Sequence, residues 1–285
     1  IAIYGLDNFI RPGSEENRIH LQKLGIKLFH GDIRVASDFE TLPEVDWVID
    51  AAANPSVLAG IDGYTSSRQL IEHNLLGTVN ILEYCKKHGA GFIMLSTSRV
   101  YSITPLSNLI VEPVAQAFRL SEGQLLPPGL SSAGVSETFS TVAPISLYGS
   151  TKLASEILAL EYGEAFNFQV WINRCSVLAG AGQFGKAYQG IFAYWINAYL
   201  RRRPLKYIGF GGSGFQVRDC LHPRDLIPLL QKQTATPCGH KVRLVNIGGG
   251  NSQAMSLAEL SAWCANRFGS HSIASEPEIR RFDIP

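Results

Sequence analysis

Apolar residues along the chain fall into two alternating rhythms. Short runs at Ile1 to Leu6, Ile26 to Phe29, Trp47 to Ala52, Gly91 to Leu95 and Phe168 to Ile172 read as buried strands, with helical patterns between them. That alternation predicts βαβ units, and hence an α/β fold built on a doubly wound parallel sheet. The clearest crossover helix spans Ser66 to His88, where Leu70, Ile71, Leu75, Ile81, Leu82 and Cys85 make one apolar stripe and Gly89 is the stop signal. A further helix opens after Pro144, with Leu147, Leu153, Ile157, Leu158 and Leu160 on its apolar positions.

Beyond Arg174 the rhythm loosens into Gly-rich loops. A helix around Ile191 to Leu200, a strand at Leu244 to Ile247 and a helix capped by Ser256 and running to Phe268 remain legible. The reading is a sheet domain over 1–175 and a smaller lobe over 176–285, interleaved with the last strands of the sheet. Residues 102–143 are rich in Ser, Pro and Gly and too long for an ordinary connection, which predicts a functional loop or lid.

Composition narrows the function classes. The net charge of +1 leaves no electrostatic footprint for nucleic acid or an acidic membrane surface. The basic run Arg201 to Arg203 reads as a solvated helix end rather than a phosphate site. The 5 cysteines, Cys85, Cys175, Cys220, Cys238 and Cys264, are scattered and lack ligand spacing, which predicts buried thiols in a reducing compartment, no disulfide and no metal. No long uncharged apolar stretch or signal peptide is visible, so a cytoplasmic location is expected.

Candidate chemistry begins at PISLYGSTKLASEI, residues 144 to 157. Tyr148 and Lys152 are i and i+4 neighbours and share one helix face. An ammonium beside a phenol favours the phenolate and lowers its pKa from ~10, which makes a proton-transfer pair. The competing reading is a helix with a surface lysine and a half-buried tyrosine.

The opening strand, IAIYGLDN, ends in Asp7. In a dinucleotide-binding fold an acid there accepts hydrogen bonds from the adenosine ribose and repels a 2′-phosphate, so Asp7 favours NAD over NADP, with Arg11 as the counter-indication. The Gly-rich phosphate loop belongs about 20 residues before such an acid, and is expected upstream of Ile1 together with a first strand. Without that strand, Ile1 to Leu6 and Trp47 to Ala52 would each lack a partner, and the chain alone is not expected to be a stable monomer. A GxGxxG does occur at Gly209, Gly211 and Gly214, but FQVRDCLHP follows it with no helical stripe, so it reads as a turn.

With these pieces placed, the chain resembles the extended short-chain dehydrogenase/reductase family of NAD-dependent nucleotide-sugar epimerases and dehydratases. The resemblance spans essentially the whole chain. It rests on LDN at Asp7, HGDI at His30 to Ile33, AAANPSV at Ala51 to Val57, NLLGTVNILE from Asn74, LSTSRVY at Leu95 to Tyr101, YGSTK at Tyr148 to Lys152 and QVRDCLHPRDL at Gln216 to Leu226. Within the family, GQFGKAYQGIFAYWI and RRRPLKYIGFGG are most similar to the branch that epimerises CDP-linked 3,6-dideoxyhexoses at C2.

The resemblance implies a catalytic set of Thr97, Tyr148 and Lys152. Tyr148 would take the sugar hydroxyl proton, Lys152 would lower its pKa and hold the nicotinamide ribose, and Thr97 would bond the reacting hydroxyl. It further implies that Asp7 and Asn8 hold the adenosine ribose, that Asp32 and Ile33 flank the adenine, and that Ala51, Ala52 and Ala53 let NAD lie close to the backbone. Asn74 and Cys175 would border the cofactor, Asn74 having a packing role as its alternative. Pro55, Ser98, Arg99, Asn173, Gln189 and Arg218 are the substrate-side residues it implies. Arg218 would clamp the diphosphate with its bidentate fork; the competing reading is a salt bridge to Asp219 or Asp225. The implied partners are a CDP-linked nucleotide sugar and a second copy of the chain, paired through helices 66–88 and 148–166.

Two departures carry weight. Ser98 and Arg99 stand where the related dehydratases place an Asp-Glu pair for elimination chemistry, which disfavours dehydration. The gap from Thr97 to Tyr148 is long for the family. A reductase or C4 epimerase of another nucleotide sugar is the alternative enzyme, and a non-catalytic NAD-binding scaffold is the alternative class.

Overall fold

In a computed structural model of the chain, which describes residues 1–183, 185–186, 189–236 and 243–285, a four-stranded parallel sheet forms the centre. Its order is Leu244–Ile247, Val170–Cys175, Gly91–Thr97, Trp47–Asp50. Register levels the C-terminal ends: Thr97 lies opposite Cys175, and Cys175 opposite Ile247. The strands Tyr4–Asp7 and Lys27–His30 form a separate parallel pair, with Asp7 opposite His30. Among the described residues, Tyr4–Asp7 and Trp47–Asp50 each pair with a single strand.

All five strands differ at one or both ends from the apolar runs that announce them. The last of these runs to Cys175 rather than stopping at Ile172, because its polar end finds buried partners: Asn173 with Gln233, and Arg174 with Glu156. The first and third run Tyr4–Asp7 and Trp47–Asp50.

The crossover helix is not continuous. Ser67–Ile71, capped by a reciprocal Ser66 and Gln69 box, passes through one π turn at Glu72–Leu76 into Gly77–His88, and Gly89 ends it in the left-handed conformation. Helix Ser146–Phe166 packs beside it on the sheet, and Val170 seats against the bare Cα of Gly163. Leu82, Cys85, Phe92, Met94, Ala159, Val170 and Ile172 are wholly buried between these layers. Each large member stabilises the fold by ~1.5–3 kcal/mol.

A second core gathers Trp195, Tyr199, Leu205, Leu260 and Cys264 from helices Ile191–Leu200 and Leu257–Phe268 and the strand Leu205–Ile208. Ser261 ties it together, accepting from Trp195 Nε1 at 2.8 Å and Tyr207 OH at 2.6 Å. One helix here escapes the sequence reading: Pro223–Ala235, because FQVRDCLHP, which leads into it, shows no helical stripe. Pro223 sits in its first turn, where a missing N–H costs nothing, and His222 Nδ1 accepts from Arg224 N at 3.2 Å.

Residues 102–143 are a brace rather than a lid. They form the hairpins Val111–Val114 with Ala117–Leu120 and Leu130–Ser131 with Gly134–Val135. Asn246 Nδ2 donates to Val135 O at 2.8 Å, Ser256 Oγ to Gln116 O at 2.5 Å and Phe118 N to Phe215 O at 2.9 Å, which pins the segment to both halves. The GxGxxG is a turn, as its context predicts: Gly209, Gly211 and Gly214 all have positive φ, and the strand Val217–Leu221 follows. Cys85, Cys175, Cys220 and Cys264 are free thiols, while Cys238 lies outside the described residues. No helix among the described residues is long and apolar enough to cross a membrane, and none of their His, Cys, Asp or Glu groups clusters as a metal site would.

Candidate active site

The C-terminal edge of the sheet opens onto a cavity of about 640 Å³ that continues between the two cores. Strand Gly91–Thr97 ends at its wall, and Thr97 Oγ1 turns back to accept from Arg99 N at 3.2 Å, capping the short turn Ser98–Val100. Helix Ser146–Phe166 brings Tyr148 in its first turn to the same wall. Ala51, Ala53 and Pro55 line it from the loop after Trp47–Asp50, and Cys175 from the neighbouring strand. Arg99 lines it from the turn after Thr97, and Gln189 and Arg218 line it as well.

Other residues of the expected set lie elsewhere. Asn8 and Asp32 border a second cavity of about 400 Å³ beyond the ends of Tyr4–Asp7 and Lys27–His30, with His30 and Asp38. Asp7 is exposed beside it and accepts from Phe9 N at 2.7 Å. Asp32 is clasped by Arg34 at 2.6 Å and by Asn8 at 2.9 Å, and the Arg34 hydrogen bond holds its carboxyl well below the usual aspartate range. Ile33 packs into the bare face of Gly77. Ala52 N donates to Asp50, and Ser98 is exposed.

Two residues expected at ligand are engaged within the protein instead. Asn173 is wholly buried and exchanges both amide hydrogen bonds with Gln233, at 2.9 and 2.8 Å, so it joins helix Pro223–Ala235 to the sheet. Asn74, in the π turn, accepts from Asn54 N at 2.8 Å and donates to Asn54 O and Thr151 Oγ1, at 3.1 and 3.2 Å. This is its packing alternative made concrete: it ties the Ala51–Pro55 loop to helix Ser146–Phe166. Arg218 does form an ion pair, with Asp283 at 2.8 Å rather than with Asp219 or Asp225.

The electrostatics correct the expected Tyr148–Lys152 coupling. Burial pushes the Tyr148 phenol above its ordinary value; a hydrogen bond with Thr97 and the charge of Arg99 pull the other way, and Cys175 adds to the rise. Lys152 is 2% exposed, and burial lowers its pKa, with the charges of Asp50 and Glu156 opposing. Asp50 is pushed upward by the same burial, with Lys152 opposing. Cys175 is pushed up to about 11, which keeps its thiol neutral. The ammonium therefore faces carboxylates below the cavity as well as the helix face it shares with Tyr148.

The residues present fit the two ends of a dinucleotide. Alanines at 51 and 53 leave the wall beside Tyr148 without bulk, and the second cavity sits where strand ends meet an acid and an asparagine. Lys206, Arg280 and Asp283 also line the large cavity and were not singled out in the sequence, since only the fold of residues 205–285 brings them there.

Comparison with known proteins gives this geometry its relatives. A family model described as the NAD dependent epimerase/dehydratase family matches residues 1–248. The CDP-paratose 2-epimerase of Salmonella typhi is 26% identical over 268 residues, covering 91% of this chain and 75% of that protein. The structure of the UDP-glucuronic acid 4-epimerase of Bacillus cereus in complex with NAD superposes with a TM-score of 0.68 at 25% identity, covering 98% of this chain and 78% of that one. The UDP-glucose 4-epimerase of Thermus thermophilus in complex with NAD has the same fold, with a TM-score of 0.71 at 21% identity, 99% of this chain and 80% of that one being covered. A strand-end threonine, a tyrosine one turn ahead of a buried lysine and an alanine-lined wall thus stand in a chain that belongs to the NAD dependent epimerase/dehydratase family and uses NAD as its cofactor.

Proposed function

We propose that this chain is a nucleotide-sugar epimerase, and that its substrate is a CDP-linked 3,6-dideoxyhexose inverted at C2, CDP-paratose to CDP-tyvelose. The observation that carries the epimerase reading is the absence of an elimination acid. Among the described residues lining the large cavity the one carboxylate is Asp283, and it is paired with Arg218. Beside Thr97 and Tyr148 stand Ser98 and Arg99. The likeness to CDP-paratose 2-epimerase over most of both chains supports the finer substrate.

Bound NAD supplies the hydride acceptor and donor. The chain does the rest. Thr97 Oγ1 orients the reacting hydroxyl, and the Tyr148 oxygen accepts its proton. Lys152 steadies the cofactor from within the helix. Asn8 and Asp32 flank the adenosine end, and Ala51, Ala53 and Cys175 border the nicotinamide end. Gln189 and Arg218 hold the nucleotide part of the substrate, Arg218 exchanging its Asp283 carboxylate for diphosphate oxygens. With bound NAD as both acceptor and donor of the hydride, the inversion would leave no net redox change.

Incubation of the protein with CDP-paratose is expected to yield CDP-tyvelose, read by NMR of the anomeric and C2 protons. No product from CDP-paratose alongside turnover of UDP-glucuronic acid would replace this substrate with the one named for the Bacillus cereus structure, a C4 reading which that likeness supports.

A further inference from the structure

Arg99 occupies an unusual place for an arginine. It sits on the turn that follows the Thr97 strand end, and Val100, wholly buried, anchors that turn in a cluster with Tyr101 and Phe139. The Arg99 carbonyl occupies the space that any side chain at 149 would need, so only Gly149 allows the turn and the first turn of the catalytic helix to touch backbone to backbone. Two neighbouring backbones in contact, each carrying one of the pair, hold Arg99 and Tyr148 on one wall of the large cavity. Arg99 Nη1 donates to Phe282 O at 3.3 Å, which steadies the guanidinium from the opposite side.

The charged and titratable groups around this pair are few. Tyr148 meets Thr97, Cys175 and Arg99; Arg99 meets Arg218, Asp283 and Tyr148. Cys175 is neutral, as above, and Arg218 and Asp283 are ion-paired with each other. Lys152, by contrast, faces Asp50 and Glu156. Among these groups Arg99 is the cation whose charge acts on Tyr148.

We propose that Arg99 is a positioning residue for the proton transfer: its guanidinium stabilises the negative charge on the Tyr148 oxygen before that oxygen takes the substrate proton. In the step itself the sugar O–H bond breaks and the phenol O–H bond forms, while Arg99 exchanges no proton. The proposal rests on Tyr148 being the base. It also gives the Ser98–Arg99 pair a purpose: a cation there serves a phenolate, whereas an acid there would oppose it. Two influences already draw the Tyr148 pKa down against its burial, the Thr97 hydrogen bond and the Arg99 charge.

The test is a spectroscopic pH titration of tyrosinate absorbance in the intact protein, each variant read against the same chain carrying Tyr148→Phe, so that the Tyr148 signal is isolated without substrate. Arg99→Gln is expected to move that ionisation upward by about one pH unit, and Arg99→Lys to restore most of it. The rising limb of kcat against pH should move by the same amount. An unmoved titration together with a raised KM would overturn the proposal and make Arg99 a substrate contact. A titration that moves with Lys152→Met and not with Arg99→Gln would overturn it in favour of the lysine. Failure to turn over any nucleotide sugar would sink the proposed function yet leave the absorbance titration readable.

Discussion

Tyr148 shows how far one side chain can be read from its neighbours in sequence. The i, i+4 spacing puts Lys152 on its face, and spacing alone suggests a lowered phenol pKa. Burial reverses the net direction, because taking a phenolate out of water costs more than the surrounding charges return. Tyr148→Phe removes the proton acceptor and little volume, so the fold and NAD binding are expected to survive while turnover falls by ~10² or more. Stopped-assay turnover alongside thermal melting measures both, and near-normal turnover would remove Tyr148 from the mechanism. Asn173 and Arg218 teach the complementary lesson: residue type announced a polar role for each, but their partners, Gln233 and Asp283, lie 60 and 65 residues away.

At the scale of elements, helix Ser146–Phe166 is fixed to the sheet by a buried ion pair one turn beyond Lys152. Glu156 receives Arg174 Nη2 at 2.7 Å and Nε at 3.1 Å, and Ser96 Oγ donates to the same carboxylate. Arg174 also stacks on Tyr101 at 5.0 Å and reaches Glu137 O in the brace at 3.5 Å. Arg174→Met strands a buried carboxylate and is expected to cost ~3–5 kcal/mol, whereas the double change with Glu156→Leu should recover most of that, since a packed apolar pair avoids the desolvation of both ions. Denaturant unfolding reads both values; a loss under ~1 kcal/mol in the single variant would mean that water still reaches Glu156. The π turn at Glu72–Leu76 belongs to the same scale. Its apolar stripe is legible as a helix, but the extra residue that aims Asn74 at Asn54 and Thr151 leaves no periodic signal that short windows detect.

For the whole molecule, the two helices on one face of the sheet leave apolar side chains in solvent. Ile71 and Leu76 on one, and Leu147 and Ile157 on the other, are 39–56% exposed. A second copy of the chain packed on that face would bury them, helix pair against helix pair, and a homo-oligomer is expected on this ground. Sedimentation equilibrium should then give a multiple of the 31.2 kDa chain mass, and Ile157→Glu should return it to a single chain with its circular dichroism unchanged. A monomer at micromolar concentration in the unaltered protein would refute the pairing.

What the sequence by itself determined is what local periodicity and short motifs can carry. Alternating strands and helices specified an α/β parallel sheet, because burial on both faces demands continuous apolar strands. YGSTK and LSTSRVY marked the residues proposed to react, because an i, i+4 pair and a strand end have one geometry wherever they occur. The GxGxxG was recognisable as a turn because no helix followed it. Tertiary structure alone decided the rest. It placed Lys152 against Asp50, raised the phenol through burial, turned residues 102–143 into a brace, and brought Asp283 to Arg218. Each of these depends on desolvation or on contacts across many tens of residues, and neither quantity is a property of any short stretch of chain.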